Sequence, residues 1–284
     1  MKIIRDPAEM TAWSREQFRA GKTIGLVPTM GYFHEGHLSL MRLAGRRTDL
    51  VVVSLFVNPT QFGPSEDLSA YPRDFDRDRE SAAGVGVDVL FVPDVAAMYS
   101  AGEKTTVIVR DLTNHLCGAD RPGHFAGVAT VVTKLFNIVR PDLAVFGQKD
   151  FQQLAVIRRM CTDLNMGVKI IGHPIVREAD GLAMSSRNAY LDDSLRESAL
   201  NLSRGIELAR RLAAAGERSV KQLTIAIRAL IDSSPETAID YISFVNDRSL
   251  HDVSEVDEET VLALAVKIGG KVRLIDNSYV LDGS

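Results

Sequence analysis

Thr23–Ile24–Gly25–Leu26–Val27–Pro28–Thr29–Met30–Gly31–Tyr32–Phe33–His34–Glu35–Gly36–His37, followed by the apolar-periodic run Leu38 to Leu43, is the stretch around which the chain is organised. It reads as a short buried strand, a tight turn at Pro28 and Gly31, and a loop that enters a helix near Gly36. His34 and His37, three apart, point the same way once the helix starts. Gly36 between them lets a ligand approach the backbone closely. The helix N-terminus beside them offers unpaired N–H groups to an anion.

Upstream, Asp6–Pro7–Ala8–Glu9 is a helix start, and that helix is expected to run to Ala20 and stop at Gly21. Ile24 to Val27 is the first strand, and His37 to Arg47 a helix. Leu50 to Val57 is nearly all apolar and β-branched, the pattern of a parallel strand covered on both faces. Asn58–Pro59–Thr60–Gln61–Phe62–Gly63–Pro64 breaks it. A polar region to Asp74, a helix to Gly84 and a strand at Val87 to Val92 follow.

A strand is expected at Thr106 to Val109 and a loop over Gly118 to Gly123. A buried helix at Phe125 to Val139, a strand at Leu143 to Phe146, a helix from Phe151 to Asn165 and a strand at Val168 to Ile171 complete the alternation. It predicts an α/β, Rossmann-like doubly wound parallel sheet over residues 1–177.

After Arg177 the pattern changes. A loop over Glu178 to Asn188 precedes helices at 192–214 and 219–231 and strands at 239–245, 261–268 and 271–275, the last two joined at Gly269–Gly270. Residues 178–284 therefore read as a smaller α+β domain containing an antiparallel sheet, placed to act as a lid.

Composition narrows the function classes. With 284 residues, 45% hydrophobic and 25% charged, the chain is that of an ordinary globular protein. A net charge of -4 argues against a broad nucleic-acid-binding face. Two cysteines form neither a disulfide framework nor a zinc site, and a reducing cytoplasm is the simplest compartment. Met1 to Arg5 lacks a positive region leading into a long apolar core, so no signal peptide is expected, and the apolar runs fall short of a bilayer span.

In doubly wound folds ligands sit outside the carboxyl ends of the strands. Three polar segments leave such ends: Pro28 to His37, Asn58 to Gln61, and Gly147 to Asp150. Their convergence predicts a cleft holding His34, His37, Asn58, Gln61, Lys149 and Asp150. No Gly-rich dinucleotide fingerprint follows the first strand and no Walker-type lysine loop occurs, so hydride transfer and P-loop ATPase chemistry are poorly supported. His34–Glu35–Gly36–His37 is one residue short of the metalloprotease spacing. As donors to phosphate oxygens the two histidines fit better.

Ser185 and Ser186 offer hydroxyls and Arg187 a guanidinium that grips phosphate with two bonds, as on a flap closing over a triphosphate. Lys149 adds a compact charge from the other side. Gln61 and Gln153 are neutral amides suited to a hydroxylated organic acid. Arg121 and His124 lie on a glycine-flanked loop within reach of a carboxylate or phosphate. Asp78 and Asp88 read as carboxylates that cap, pair or face water.

Six segments now carry a resemblance: PTMGYFHEGH (28–37), LFVNPTQF (55–62), YPR (71–73), HFAGVATVV (124–132), RPDLAVFGQKDFQQL (140–154) and READGLAMSSRN (177–188), with IDN at 275–277. The chain resembles the pantoate–β-alanine ligases of the HIGH-motif nucleotidyltransferase superfamily. The resemblance implies ATP-dependent condensation of (R)-pantoate with β-alanine through pantoyl adenylate, giving pantothenate, a coenzyme A precursor, with AMP and diphosphate. It places ATP contacts on Met30, Gly31, Tyr32, Phe33, His34, Glu35, Gly36 and His37, on Gly147, Gln148, Lys149 and Asp150, and on Val176, Met184, Ser185, Ser186 and Arg187. His37 matches the position labelled proton donor.

Gln61 and Gln153 match the pantoate-binding glutamines, Gln61 also lies near β-alanine, and Asn58 lines the adjacent floor. Mg2+, a cytoplasmic location and a homodimer through the first domain are implied too. Gln148 departs from the more frequent glutamate, and Tyr32–Phe33 from a smaller residue followed by leucine. The rival readings are another nucleotidyltransferase of the superfamily, a tRNA-charging enzyme, and a noncatalytic nucleotide-binding protein. The glutamine pair disfavours the first, the short chain the second, and the joint presence of His34, His37, Lys149 and the Ser–Ser–Arg flap the third.

Overall fold

The computed structural model describes residues 1–63 and 68–281. Pro64, at the end of the expected break after Asn58, lies outside them.

The first part runs β1 (Lys2–Ile4), α1 (Pro7–Arg19), β2 (Ile24–Thr29), α2 (Glu35–Gly45), β3 (Leu50–Leu55), α3 (Phe75–Gly84) and β4 (Val89–Phe91). Short helices α4 (Val95–Met98) and α5 (Leu116–Asp120) lead into α6 (His124–Val139), β5 (Leu143–Gly147), α7 (Phe151–Asp163) and β6 (Lys169–His173). The six strands form one parallel sheet in the order β1-β4-β3-β2-β5-β6. Strand order therefore reverses between β2 and β5, and the crevice outside their carboxyl ends is where such folds bind ligands. Both faces are covered. Met10, Val128 and Leu154 pack one side with Leu26 and Phe146, while Leu40, Met41 and Ala82 pack the other with Val27 and Val53. Apolar runs without alternation are what two covered faces require.

The remainder comprises α8 (Asp193–Ala199), α9 (Asn201–Ala214), α10 (Val220–Ile231) and the antiparallel meander β7 (Thr237–Asn246), β8 (Thr260–Ile268), β9 (Val272–Tyr279). Helices α9 and α10 lay Ile206, Leu223 and Ile227 on Leu264 and Val266 of the sheet. Val245, Leu250 and Val261 instead join the core of the first part.

Several expectations need correction. Thr106–Val109 is not a strand: its Val107 N–H donates to the Thr130 hydroxyl of α6 at 3.0 Å and not to a neighbouring strand. The Gly118–Gly123 segment is helical as far as Asp120, because Gly118, having no Cβ, packs directly against the Thr113 carbonyl. The expected helix 192–214 is two helices meeting at Leu200. Strand β1, three residues long, is too short to carry a periodic signal.

Candidate active site

The loop from Met30 to His34 is held from below. Tyr32 takes a left-handed φ of 54°, and Gly31 one of 89° where a Cβ would lie 2.9 Å from the Asp78 carboxylate. Asp78 is buried and accepts from the backbone N–H groups of Tyr32 at 2.7 Å and Phe33 at 2.6 Å. Burial raises its pKa, against the pull of those two hydrogen bonds and of the Arg77 cation. Arg77 itself donates to the Phe33 carbonyl at 3.1 Å and lies over the Tyr32 ring. Of the roles expected for Asp78, to cap, pair or face water, it takes that of a buried partner to backbone N–H groups, and it fixes the loop that presents the histidines.

His34 occupies the N-cap position of α2, and His37 lies in its first turn. Their rings are 4.1 Å apart between centroids, and the His34 N–H approaches His37 Nδ1 at 3.4 Å. Gly36 is inside the helix, and a Cβ there would meet the His34 ring at 2.8 Å. The glycine makes room for its neighbour's imidazole. Burial, with the Lys149 cation adding to it, lowers the His34 pKa from 6.5 to about 4. Burial, His34 and Lys149 lower His37 to about 3. Both rings are therefore neutral at pH 7, and a His37 that accepts at Nδ1 carries its proton on Nε2. Each is a hydrogen-bond donor without the desolvation cost of an imidazolium.

Across the switch point, the turn Gln148–Asp150 follows β5 and places Lys149 opposite the histidines. It is anchored from the other part of the chain. The Asn277 side chain, buried on β9, donates to the carbonyls of Gln148 at 3.1 Å and Lys149 at 2.8 Å. Beside it Asp276 takes both guanidinium nitrogens of Arg177, at 2.7 and 3.0 Å.

The expected loop over 178–188 is more ordered than its sequence suggested. The Met184 N–H donates to the Val176 carbonyl at 2.9 Å and Arg177 bridges Ala183, closing a hairpin whose turn contains Gly181 at φ 96°. Asn188 ties its far end to Glu178 and to the Ala183 carbonyl. Ser185 Oγ then accepts from the Arg187 N–H at 3.2 Å, and Ser186 Oγ donates to the Tyr32 carbonyl at 3.3 Å. The serine–arginine segment rests directly on the histidine loop.

These elements enclose an inner cavity of about 250 Å3. Met30, His34, Gly36 and His37 line it from the first loop, and Gly147, Lys149 and Asp150 from the second. Val176, Met184, Ser185, Ser186 and Arg187 line the third side, with Asn58, Gln61 and Gln153 on the remaining wall. A wider cleft of about 1140 Å3 between the two parts of the chain shares Lys149, Asp150, Gln153, Ser185 and Arg187 with it, so the inner pocket has an open approach.

Some expected ligands lie elsewhere. Gly31, Tyr32, Phe33, Glu35 and Gln148 do not line the cavity. Phe33 is buried in the core, and Glu35 pairs with Arg42 on the outer face of α2. Asn58 is 1% exposed, and its amide is already engaged: Nδ2 with Gln61 Oε1 and the Gly127 carbonyl, Oδ1 with the Tyr99 hydroxyl at 2.8 Å. It orients Gln61 and has no spare valence for a ligand. His124 and Arg121 do reach the site. The His124 ring lies 2.8 Å from the Gln61 carbonyl and 3.1 Å from the Arg121 guanidinium, and both residues line the pocket.

A Rossmann-like parallel sheet whose switch point presents two imidazoles, a helix N-terminus, a lysine and an arginine to one pocket is the setting of an ATP-binding enzyme. Comparison with known proteins narrows this. The family model described as pantoate-beta-alanine ligase matches residues 2–279. The pantothenate synthetase of Heliobacterium modesticaldum is 59% identical over 280 residues, 99% of each chain. That of Geobacter sulfurreducens is 57% identical over 277 residues, 98% of each.

Among solved structures, the pantothenate synthetase of Thermus thermophilus superposes with a TM-score of 0.94 at 44% identity, covering 99% of this chain and 100% of that one. The pantoate-beta-alanine ligase of Francisella tularensis, complexed with beta-gamma ATP and beta-alanine, gives 0.81 at 32% identity, covering 99% and 98%. The chain belongs to the pantoate–β-alanine ligase family. It is an ATP-dependent ligase that condenses pantoate with β-alanine to form pantothenate.

Proposed function

We propose that the inner pocket carries out both halves of the ligation. The pantoate carboxylate attacks the α-phosphorus of ATP, the bond to the β,γ-diphosphate breaks, and pantoyl adenylate forms. The β-alanine amine then attacks the acyl carbon and AMP leaves with the former carboxylate oxygen. A free carboxylate is a poor acyl donor, and adenylation supplies the leaving group. Alignment of the partners in one pocket contributes up to ~7–11 kcal/mol of the lowered barrier in favourable systems.

His34, His37, Lys149, Ser185, Ser186 and Arg187 donate to phosphate oxygens as charge develops on them. The ligand-free pKa values make His37 a neutral donor. A bound polyanion raises its pKa, which suits it to pass a proton on during the reaction. Gln61 and Gln153 hold pantoate, with Gln61 also adjoining β-alanine, and Asn58, His124 and Arg121 keep Gln61 in place. The Ser186–Tyr32 contact seats the serine–arginine segment on the histidine loop, and closure of the wider cleft over it would keep water from the adenylate. The division near residue 177, with residues 178–284 as a lid, belongs to the same reading.

Mg2+ takes oxygen ligands and in nucleotide sites uses one or two carboxylates plus phosphates. Asp150, an exposed carboxylate on the pocket rim beside Lys149, fits that donor set with the ATP phosphates. The ion would neutralise charge on the departing diphosphate. A homodimer and a cytoplasmic location complete the proposal. No helix among the described residues is long and apolar enough to cross a membrane.

The observation that carries this reading is the shared lining of one cavity by His34, His37, Lys149, Ser185–Arg187 and the two glutamines. The test is AMP release with each organic substrate omitted in turn, with rapid quench for the intermediate. Pantoyl adenylate bound to the enzyme in the absence of β-alanine is expected. If none forms under conditions that support pantothenate synthesis, the two-step order is wrong.

A further inference from the structure

Outside both cavities, three ligand-bearing side chains from distant parts of the sequence converge. One oxygen of the Asp111 carboxylate lies 3.7 Å from His115 Nε2, and the other lies 3.4 Å from His251 Nε2. One ligand atom from each residue falls within 4.8 Å of the other two. Tetrahedral ligands at zinc bond lengths are about 3.3 Å apart, so the cluster needs only a small inward movement of side chains. His115 Nε2 is buried with no hydrogen-bond partner among the described residues. A buried nitrogen lone pair or N–H left unsatisfied is costly, and here it faces a carboxylate and a second imidazole.

The backbones that carry these groups are fixed by other contacts. The buried Gln152 amide of α7 donates to the carbonyls of Leu112 at 2.9 Å and His115 at 2.6 Å, holding the Asp111–His115 segment. On the other side, the Asn246 N–H donates to the His251 carbonyl at 3.0 Å, and Val245 bridges Asp252, closing the turn that follows β7. Leu112 and Leu250, each next to a ligand residue, belong to the same buried core cluster. The two loops are thus held in register by packing, and a ligand would find the donors pre-positioned.

A surface ion pair alone accounts for this arrangement poorly. Exposed pairs contribute little, and two histidines sharing one carboxylate repel each other when both are charged. The donor chemistry points elsewhere: two imidazoles and a carboxylate match borderline transition-metal dications, whereas Mg2+ and Ca2+ prefer oxygen alone. We propose that Asp111, His115 and His251 bind a single transition-metal dication of the Zn2+ or Co2+ class, water completing its coordination, and that the ion staples the segment before α5 to the turn after β7. This site is separate from the Mg2+ that accompanies ATP and takes no part in the ligation. Its effect is on how firmly the two parts of the chain are joined.

The test uses the full chain, stripped with chelator and titrated with Zn2+ or Co2+ in the absence of nucleotide. One equivalent of metal, a visible Co2+ spectrum of four-coordinate character and a rise in Tm are expected. His251→Gln changes an exposed side chain, so the fold is kept. Loss of a direct ligand is expected to weaken binding at least as much as loss of an outer-shell partner, about 10–100-fold, and to abolish the Tm rise. Asp111→Asn serves as a second variant should the first fold poorly. His34→Gln, in the only other close histidine pair among the described residues, is expected to retain the equivalent. The proposal is overturned if the wild type takes up no metal, or if His251→Gln and Asp111→Asn bind it as the wild type does.

Discussion

The carboxylate of Asp78 accepts the Phe33 backbone N–H at 2.6 Å, although 45 residues separate them. With the companion bond from Tyr32 it converts a left-handed, exposed-looking loop into a fixed support for His34 and His37. Asp78→Asn conserves volume but can present at most one acceptor atom to two N–H groups. Leaving a buried donor unsatisfied costs about 1–3 kcal/mol. The expected outcome is a lower Tm and a KM for ATP raised by about tenfold, an effect of some 1.4 kcal/mol, with the KM for pantoate little changed. Steady-state kinetics with each substrate varied, beside thermal unfolding, checks it. An unchanged KM for ATP would show that the loop does not depend on this carboxylate.

Depressed histidine pKa values make a pH prediction with a definite sign. The unfolded chain protonates His34 and His37 near 6.5, whereas the folded chain does so only near 4 and 3. Between these values the unfolded state binds more protons, so stability is full above pH 6.5 and is lost as pH falls toward 4. The slope is at most about 1.4 kcal/mol per pH unit for each histidine. Denaturant unfolding at pH 7 and pH 5 is expected to show this loss in the wild type, and a smaller one in His37→Gln. Equal pH dependence in the two proteins would mean that the imidazole is not buried in its neutral form.

Asn277 gives the prediction that joins the two parts of the chain. Its amide holds the carbonyls of Gln148 and Lys149, so Asn277→Ala frees the turn that carries the lysine while removing no group that faces the pocket's phosphate side. Two hydrogen bonds at about 0.5–1.5 kcal/mol each set the scale of the loss in stability. A fall in kcat of about tenfold is expected if about 1.4 kcal/mol of transition-state stabilisation is lost with the turn's position. Direct removal of the charge in Lys149→Met should cost more, about 10²–10³-fold in kcat. Measuring both variants separates positioning from donation, and an Asn277→Ala enzyme with wild-type kcat would remove the residue from the active-site account.

These residues also show what the sequence could carry. The runs at β2, β3 and β5 were legible because a parallel strand covered on both faces must be apolar throughout, and the polar segments at 28–37, 58–61 and 147–150 because strand ends are where such folds expose function. Strand order was not, since it depends on contacts between remote segments. Asp78 was hidden among Asp74, Asp76 and Glu80: only burial distinguishes it from its neighbours on α3. The motif at 275–277 was visible, but its use was not, because the Asn277–Lys149 contact spans 128 residues. Thr106–Val109 misled for the opposite reason. Its β-branched composition fits an extended segment, yet Val107 bonds to a helix side chain instead of a sheet edge.

Asn58 and Gln61 permit a final test, of the proposed assignment of Gln61 to pantoate. Asn58 Nδ2 lies 3.2 Å from Gln61 Oε1, leaving Gln61 Nε2 close to Met30 Sδ at 3.1 Å, a weak acceptor that a ligand hydroxyl or carboxylate can replace. Asn58→Ala leaves the buried Gly127 carbonyl without this partner, at a cost of about 1–3 kcal/mol, while the Tyr99 hydroxyl keeps Thr60 Oγ1 at 3.1 Å. More tellingly, it lets the Gln61 amide rotate. Asn58 bonds to neither histidine nor to Lys149, so the KM for pantoate is expected to rise by about tenfold, roughly 1.4 kcal/mol, while that for ATP stays near its wild-type value. Asn58→Asp offers the sharper contrast, because a carboxylate oxygen in place of Nδ2 would face Gln61 Oε1 and the Gly127 carbonyl with no proton to share. Its KM for pantoate should exceed that of the alanine variant. If both variants instead raise the KM for ATP and spare pantoate, Asn58 supports the nucleotide and the assignment of Gln61 to the organic acid fails with it.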